Sequence, residues 1–227
     1  MVDCRQKMRV GVLGGTFDPI HYGHLKIANQ VQKLFNCDQI LLIPAYVPPH
    51  KVKNNISSAY HRYAMAVLAT SELEKIAVCT LELESPTQPF TVQTIAQLKK
   101  QFTTNVDLFF IMGTDLFREL NSWWRYQELI ENCNIVVVTR PGYLIDLSER
   151  SLALKKEIKD LSNTKQITNL ELNSSSIFFT NLVAENISST TIRLLANKGK
   201  SITDYLPQSV ESYIVKYQLY QDLSGSA

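Results

Sequence analysis

Apolar residues along this chain follow two rhythms that alternate from one end to the other. Short apolar runs, the pattern of strands buried on both faces, fall at residues 10–13, 39–44, 106–112, 134–139 and 176–182, and residues 76–83 alternate with the two-residue period of a strand. Between them, apolar positions recur at helical spacing: Leu25, Ala28, Val31, Leu34 and Phe35; Tyr63, Ala66, Val67 and Thr70 within 59–71; Val92, Ile95, Ala96, Leu98 and Phe102 within 91–102. Residues 188–197, closed by Gly199, and 207–219, with proline in the first turn, read the same way, and 148–161 reads as a solvated helix. Buried strands separated by helices predict an α/β fold, a doubly wound parallel sheet in a single domain. That domain takes in 1–227, with a core over about 8–220, a more polar stretch at 142–175 expected as an insertion, and a frayed tail at 222–227. Such sheets bind ligands at the carboxyl ends of their strands. There the pattern puts Gly14-Gly15-Thr16, a loop over 44–53, a loop at Gly113-Thr114-Asp115, and the stretch 186–193.

Composition narrows the setting more than the chemistry. With 227 residues, 45% hydrophobic and 19% charged, the chain can bury a sizeable core, and its net charge of +2 gives no field suited to bulk nucleic-acid binding. No apolar run approaches a membrane span. Arg5, Lys7 and Arg9 break the first apolar stretch, so no signal-peptide core is expected. Cys4, Cys37, Cys79 and Cys133 are scattered without a C-x-x-C pair, as in reduced thiols of a cytoplasmic protein.

The candidate chemistry starts where the first strand stops. Gly14-Gly15 can turn sharply and bring backbone N–H groups close to a ligand. Thr16-Phe17-Asp18-Pro19 continues the turn, and His21-Tyr22-Gly23-His24 opens a helix. A helix N-terminus presents unpaired N–H groups and a partial positive charge, and beside two imidazoles it suits phosphate. The segment lacks the lysine and spacing of a Walker loop and is not the dinucleotide G-x-G-x-x-G. His21-x-x-His24 could also be a metal pair, but no further ligands of a zinc set lie nearby; no metal ligation by side chains is expected. The second constellation is Ile187-Ser188-Ser189-Thr190-Thr191-Ile192-Arg193. Its hydroxyls and first-turn N–H groups could bind phosphate oxygens, with Arg193 adding a charged fork. Equally, Ser and Thr at a helix start can be ordinary caps.

Together, Gly14-Gly-Thr-Phe-Asp-Pro-Ile-His-Tyr-Gly-His24 and Ile187-Ser-Ser-Thr-Thr-Ile-Arg193 resemble the paired signatures of (T/H)xGH nucleotidyltransferases. Val47-Pro-Pro-His-Lys51, Phe90-Thr-Val-Gln-Thr94, Phe110-Ile-Met-Gly-Thr-Asp115, Trp123-Trp124 and Arg140-Pro-Gly-Tyr143 narrow the resemblance to bacterial nicotinate-nucleotide adenylyltransferases, from about residue 8 onward. The resemblance implies a Rossmann-like nucleotidyltransferase fold. It also implies transfer of the adenylyl group of ATP to nicotinate mononucleotide, with Mg²⁺ carried on the phosphates. Nicotinamide mononucleotide or phosphopantetheine as acceptor, and a nucleotide-binding protein without turnover, stand as alternatives.

The same resemblance implies that Gly14, Gly15, Thr16, Phe17, His21, His24, Ser188, Ser189, Thr190 and Arg193 hold ATP. Thr16, His21, His24 and Arg193 act on the reacting phosphates, with His24 nearest the transferring group. Lys51, Thr91, Gly113, Asp115, Trp123 and Trp124 would hold the mononucleotide, the pyridine ring near Trp123. Phe90 and Trp124 stand where the family often has tyrosine, which removes a hydroxyl contact but not stacking. Trp123-Trp124 could instead be core aromatics, and His50-Lys51 a solvated turn. Arg62 and Arg140 are further candidate cations that could simply pair with surface acids. Oligomeric state is left open.

Overall fold

A computed structural model describes residues 7–46, 56–85, 87, 89–102, 105–139, 158–164, 167, 175–183 and 187–221. In chain order the elements are β1 (Met8–Gly15), α1 (Tyr22–Phe35), β2 (Gln39–Pro44), α2 (Ala59–Thr70), β3 (Ile76–Val78), α3 (Thr91–Gln101), β4 (Val106–Gly113), α4 (Thr114–Arg118), α5 (Tyr126–Asn132), β5 (Asn134–Thr139), β6 (Ile158–Asp160), β7 (Ile177–Val183), α6 (Ser189–Asn197) and α7 (Gln208–Lys216). The seven strands form one sheet in the order β3-β2-β1-β4-β5-β7-β6, the parallel, doubly wound α/β arrangement the alternation predicts. Strand order reverses between β1 and β4, the place where such sheets bind ligands.

The backbone gathers into two compact units. One takes in Met1–Leu13, Ile27–Leu41 and Pro89–Val183. Here β1 pairs β4 in parallel (Leu13 beside Ile111), β4 pairs β5, and β7 lies between β5 and β6. Its core is aromatic: Phe35 lies 5.1 Å from both Phe109 and Phe178, all three fully buried. Removing such rings from water stabilises by about 1.5–3 kcal/mol each. The buried polar groups are tied down. Asn134 donates to the Leu108 carbonyl and accepts from the Ser176 N–H, stitching three strands at one end. Arg9 donates to the Phe35 carbonyl through its guanidinium and to the Asp38 carboxylate through its backbone N–H.

The other unit takes in Gly14–Lys26, Leu42–Gln88 and Ala184–Ala227. Its α2 is capped by Ser58, whose hydroxyl accepts the His61 N–H, the ordinary cap of a helix start.

Three expectations are corrected. The strand over 76–83 stops at Val78: Leu83 and Glu84 N–H groups turn back onto the Thr80 carbonyl, and the Thr80 hydroxyl bonds the Glu84 carboxylate. This local pairing competes with a ladder. Gly113-Thr114-Asp115 is not a loop: Gly113 ends β4 and α4 begins at once at Thr114. The expected helix over 148–161 includes Ile158–Asp160, which is instead the edge strand β6; the rest of that stretch, apart from Leu161, lies outside the described residues. A 3-10 turn at Leu120–Ser122 and the helix α5 have no counterpart in the apolar pattern. Among the described residues, no helix is long and apolar enough to cross a membrane.

Candidate active site

The phosphate candidates of the glycine turn and of α6 fall in the same unit, built on the segment between β1 and α1. Gly15 is required by its neighbour, since a Cβ there would lie 2.8 Å from the Phe17 ring. At Gly14 a Cβ would meet no atom of the described residues within 4 Å, so nothing in their packing asks for glycine. Phe17 takes a left-handed backbone (φ 51°) that is uncommon for a bulky residue. Its buried ring, packed edge-on to His24 at 5.0 Å, holds it there.

α1 opens with the two imidazoles stacked, centroids 3.7 Å apart and 28° between planes. The His21 N–H donates to His24 Nδ1 at 3.3 Å. That bond makes Nδ1 the acceptor, so in the neutral ring the proton sits on Nε2. The first turn of α1 carries no acidic residue to compete with an anion.

The tip of α6 reaches this segment directly. Ser189 donates its hydroxyl to the Pro19 carbonyl at 3.0 Å, and Arg193 donates Nη1 to the Asp18 carbonyl at 2.7 Å. Arg193 Nη2 also approaches the Thr190 hydroxyl at 3.4 Å. Ser188 caps: its hydroxyl accepts the Thr191 N–H and pairs with the Thr191 hydroxyl. Ser188 and Thr190 are exposed, while Ser189 and Arg193 are half-buried.

Arg62 is no surface cation. It is 1% exposed and donates to three carbonyls, from Nε to Ser57, from Nη1 to Thr16 and from Nη2 to Tyr46. Burial pulls the guanidinium below its ordinary range, and the nearby Asp18 charge opposes that shift. Arg62 thus braces the turn from behind. No pattern in the sequence separates it from an exposed helix cation, because its partners are backbone carbonyls.

Of the mononucleotide candidates, Thr91, Gly113, Asp115, Trp123 and Trp124 lie in the other unit, where the two tryptophans rest on aromatic contacts. Trp124, exposed, leans on Phe90 at 4.7 Å and 35°, with the Arg125 guanidinium 5.1 Å from its ring. Thr91, next to Phe90, starts α3, where the Gln93 side chain accepts the Phe90 N–H. Trp123 is half-buried, edge-on to Phe110 of β4 at 6.3 Å, and β4 ends at Gly113. Asp115 follows in the first turn of α4, where its carboxylate takes the Thr114 hydroxyl at 3.4 Å. His50, Lys51 and Arg140 lie outside the described residues.

A cytidylyltransferase-like family pattern matches residues 12–195. A protein of Thermoanaerobacter sp. (strain X514), named probable nicotinate-nucleotide adenylyltransferase, is 38% identical over 95% of this chain and 96% of its own length. One of the same name from Shewanella baltica (strain OS195) is 38% identical over 94% and 99%. The fold is shared with a Plasmodium falciparum nicotinic acid mononucleotide adenylyltransferase, solved in complex with NaAD, at TM-score 0.68 and 21% identity over 94% of this chain and 97% of that one. By the extent and level of this similarity, the chain belongs to the nicotinate-nucleotide adenylyltransferase family of cytidylyltransferase-like proteins.

Proposed function

We infer that this chain transfers the adenylyl group of ATP to nicotinate mononucleotide, releasing pyrophosphate and forming nicotinate adenine dinucleotide, a step of NAD biosynthesis. The observation that carries the reading is the joining of both phosphate signatures on one segment, with Ser189 and Arg193 bonded to the carbonyls of Pro19 and Asp18 just ahead of His21 and His24. Family membership supplies the choice of acceptor.

The chemistry asks little covalent work of the protein. The acceptor phosphate is mostly dianionic near neutral pH, its second pKa being about 6, so it attacks without a general base. One of its oxygens bonds to the α-phosphorus of ATP as the bond from that phosphorus to the bridging α–β oxygen breaks, and pyrophosphate leaves with the electron pair. The obstacle is repulsion between two anions, so the protein's part is positioning and charge stabilisation. In this reading His24 donates Nε2–H toward the transferring phosphate and His21 toward its neighbour. The exposed, unobstructed Gly14 allows close backbone approach, and Thr190 and Arg193 hold the β/γ end. Trp123, Trp124 and Thr91 receive the pyridine, with Gly113, Asp115 and Lys51 toward ribose and phosphate.

Mg²⁺ fits as an ion held by phosphate oxygens and water. Among the described residues no cluster of three His, Cys, Asp or Glu could cage it, and the buried Asp18 carboxylate already accepts two hydrogen bonds. When bound, the ion neutralises triphosphate charge. Work in the cytoplasm, where ATP is supplied, completes the proposal.

Pyrophosphate release with ATP and each acceptor in turn tests it. Nicotinate mononucleotide should give the highest kcat/KM. Higher values with nicotinamide mononucleotide or phosphopantetheine would reassign the acceptor, and no release with any of the three would leave a binding protein.

A further inference from the structure

The mechanism uses the backbone and histidines of the phosphate segment but not the carboxylate in its middle. Asp18 is fully buried, and a buried carboxylate must be supplied with donors. The Ser57 N–H reaches Oδ2 at 3.3 Å, and the Tyr220 hydroxyl reaches Oδ1 at 2.8 Å. Tyr220 comes from far along the chain, 202 residues away, in the turn after α7.

That turn is itself fixed. Gln218 and Tyr220 take left-handed backbones (φ 51° and 69°). The Leu219 N–H bonds the Ile214 carbonyl, and Asn197, the last residue of α6, donates to the Tyr220 carbonyl at 3.0 Å. Tyr220 is therefore held by both α6 and α7, while α6 grips the same segment through Ser189 and Arg193. Burial, with the Asp18 charge beside it, pushes the phenol well above its ordinary value near 10, so it stays a donor at working pH.

We propose that Tyr220 is a positioning residue for adenylyl transfer: by holding the Asp18 carboxylate it fixes the Thr16–Pro19 segment against the α1 histidines and the tip of α6. The proposal rests on the adenylyl-transfer reading. Asp18 carries two unlike duties, its carbonyl accepting Arg193 and its side chain accepting Tyr220. Releasing the side chain frees the peptide that orients the arginine, and small misplacement of reacting groups costs rate steeply.

The test is a cycle of Tyr220→Phe, Asp18→Asn and the double variant, with Tyr213→Phe as control. Tyr213 also has a hydroxyl in this region, but it pairs with His61 Nδ1. Pyrophosphate release is followed against ATP and against nicotinate mononucleotide, and ATP affinity is measured separately by calorimetry. Tyr220→Phe should lower kcat/KM for ATP about tenfold and weaken ATP binding, with the KM for nicotinate mononucleotide unchanged. The double variant should be no slower than Asp18→Asn alone, and Tyr213→Phe should match the unaltered protein.

Tyr220→Phe kinetics within about twofold of the unaltered protein, or independent effects that multiply in the double variant, would overturn the proposal. So would a fall in Tm with both kinetic constants kept, the mark of a purely structural contact. If Tyr220→Phe does not fold, hydrogen exchange on the unaltered protein decides: amides of 16–24 should open together with those of 218–221, and independent opening would overturn the proposal. If the unaltered protein binds ATP but releases no pyrophosphate, the functional reading has failed, and the calorimetric cycle still decides the Tyr220–Asp18 link.

Discussion

The two sets of candidate residues are held by opposite means. Around the phosphate segment, polar side chains grip backbone carbonyls: Arg62 on Thr16, Arg193 on Asp18, Ser189 on Pro19. Around the mononucleotide candidates, ring meets ring: Trp124 on Phe90, Trp123 on Phe110. Directional bonds to a backbone fix positions to fractions of an ångström, which a transferring phosphate demands. Aromatic contacts are broad and tolerant, which suits recognition of a flat ring. The contrast teaches that rate should be concentrated in the first region and acceptor affinity in the second.

The largest effect expected is on the brace itself. Arg62→Met takes one donor from each of the carbonyls of Thr16, Tyr46 and Ser57 and one nearby positive charge from Asp18. Chemical denaturation should show a loss of about 3–5 kcal/mol, the scale for breaking a buried charged network from one side. A loss below about 1 kcal/mol would mean the guanidinium behaves as a surface group. His24→Ala comes next: it should fold normally and lower kcat by about 10²–10³-fold, as removal of one charge-stabilising donor does. A near-normal rate would remove His24 from the chemistry.

The glycine pair sharpens the comparison within one turn. Gly15→Ala drives a methyl into the Phe17 ring and should cost about 1–3 kcal/mol of stability. Gly14→Ala meets no atom of the described residues, so Tm should hold while the KM for ATP rises. Equal loss of Tm in both would deny the distinction. The smallest effect belongs to the aromatic region. Trp123→Ala should raise the mononucleotide KM about tenfold with kcat nearly kept, if stacking is equal in ground and transition states. An unchanged KM would return Trp123 to the core.

How far the sequence could be read follows the same divide between local and distant causes. β1, β2, β4, β5 and β7 announce themselves as apolar runs because both faces are buried. β6 does not, since Lys159 and Asp160 on an edge strand look like the polar face of a helix. β3 reads too long in the apolar pattern because the Thr80–Glu84 side-chain bond is invisible to a two-residue period. The histidine turn and the Ser-Thr-Arg cluster were legible as separate motifs. Their meeting on Asp18 and Pro19 was not, since it depends on residues about 170 apart in sequence. Arg62 stands out only as a cation and Tyr220 not at all, because one answers to carbonyls, which every residue has, and the other to a carboxylate 202 positions away.

The most direct test of the account follows the phosphorus. The protein is incubated with Mg²⁺, nicotinate mononucleotide and ATP labelled at its α-phosphate. The account predicts that label passes into nicotinate adenine dinucleotide, one pyrophosphate released per labelled dinucleotide. Label that stays in ATP, or that emerges in AMP without dinucleotide, would contradict it.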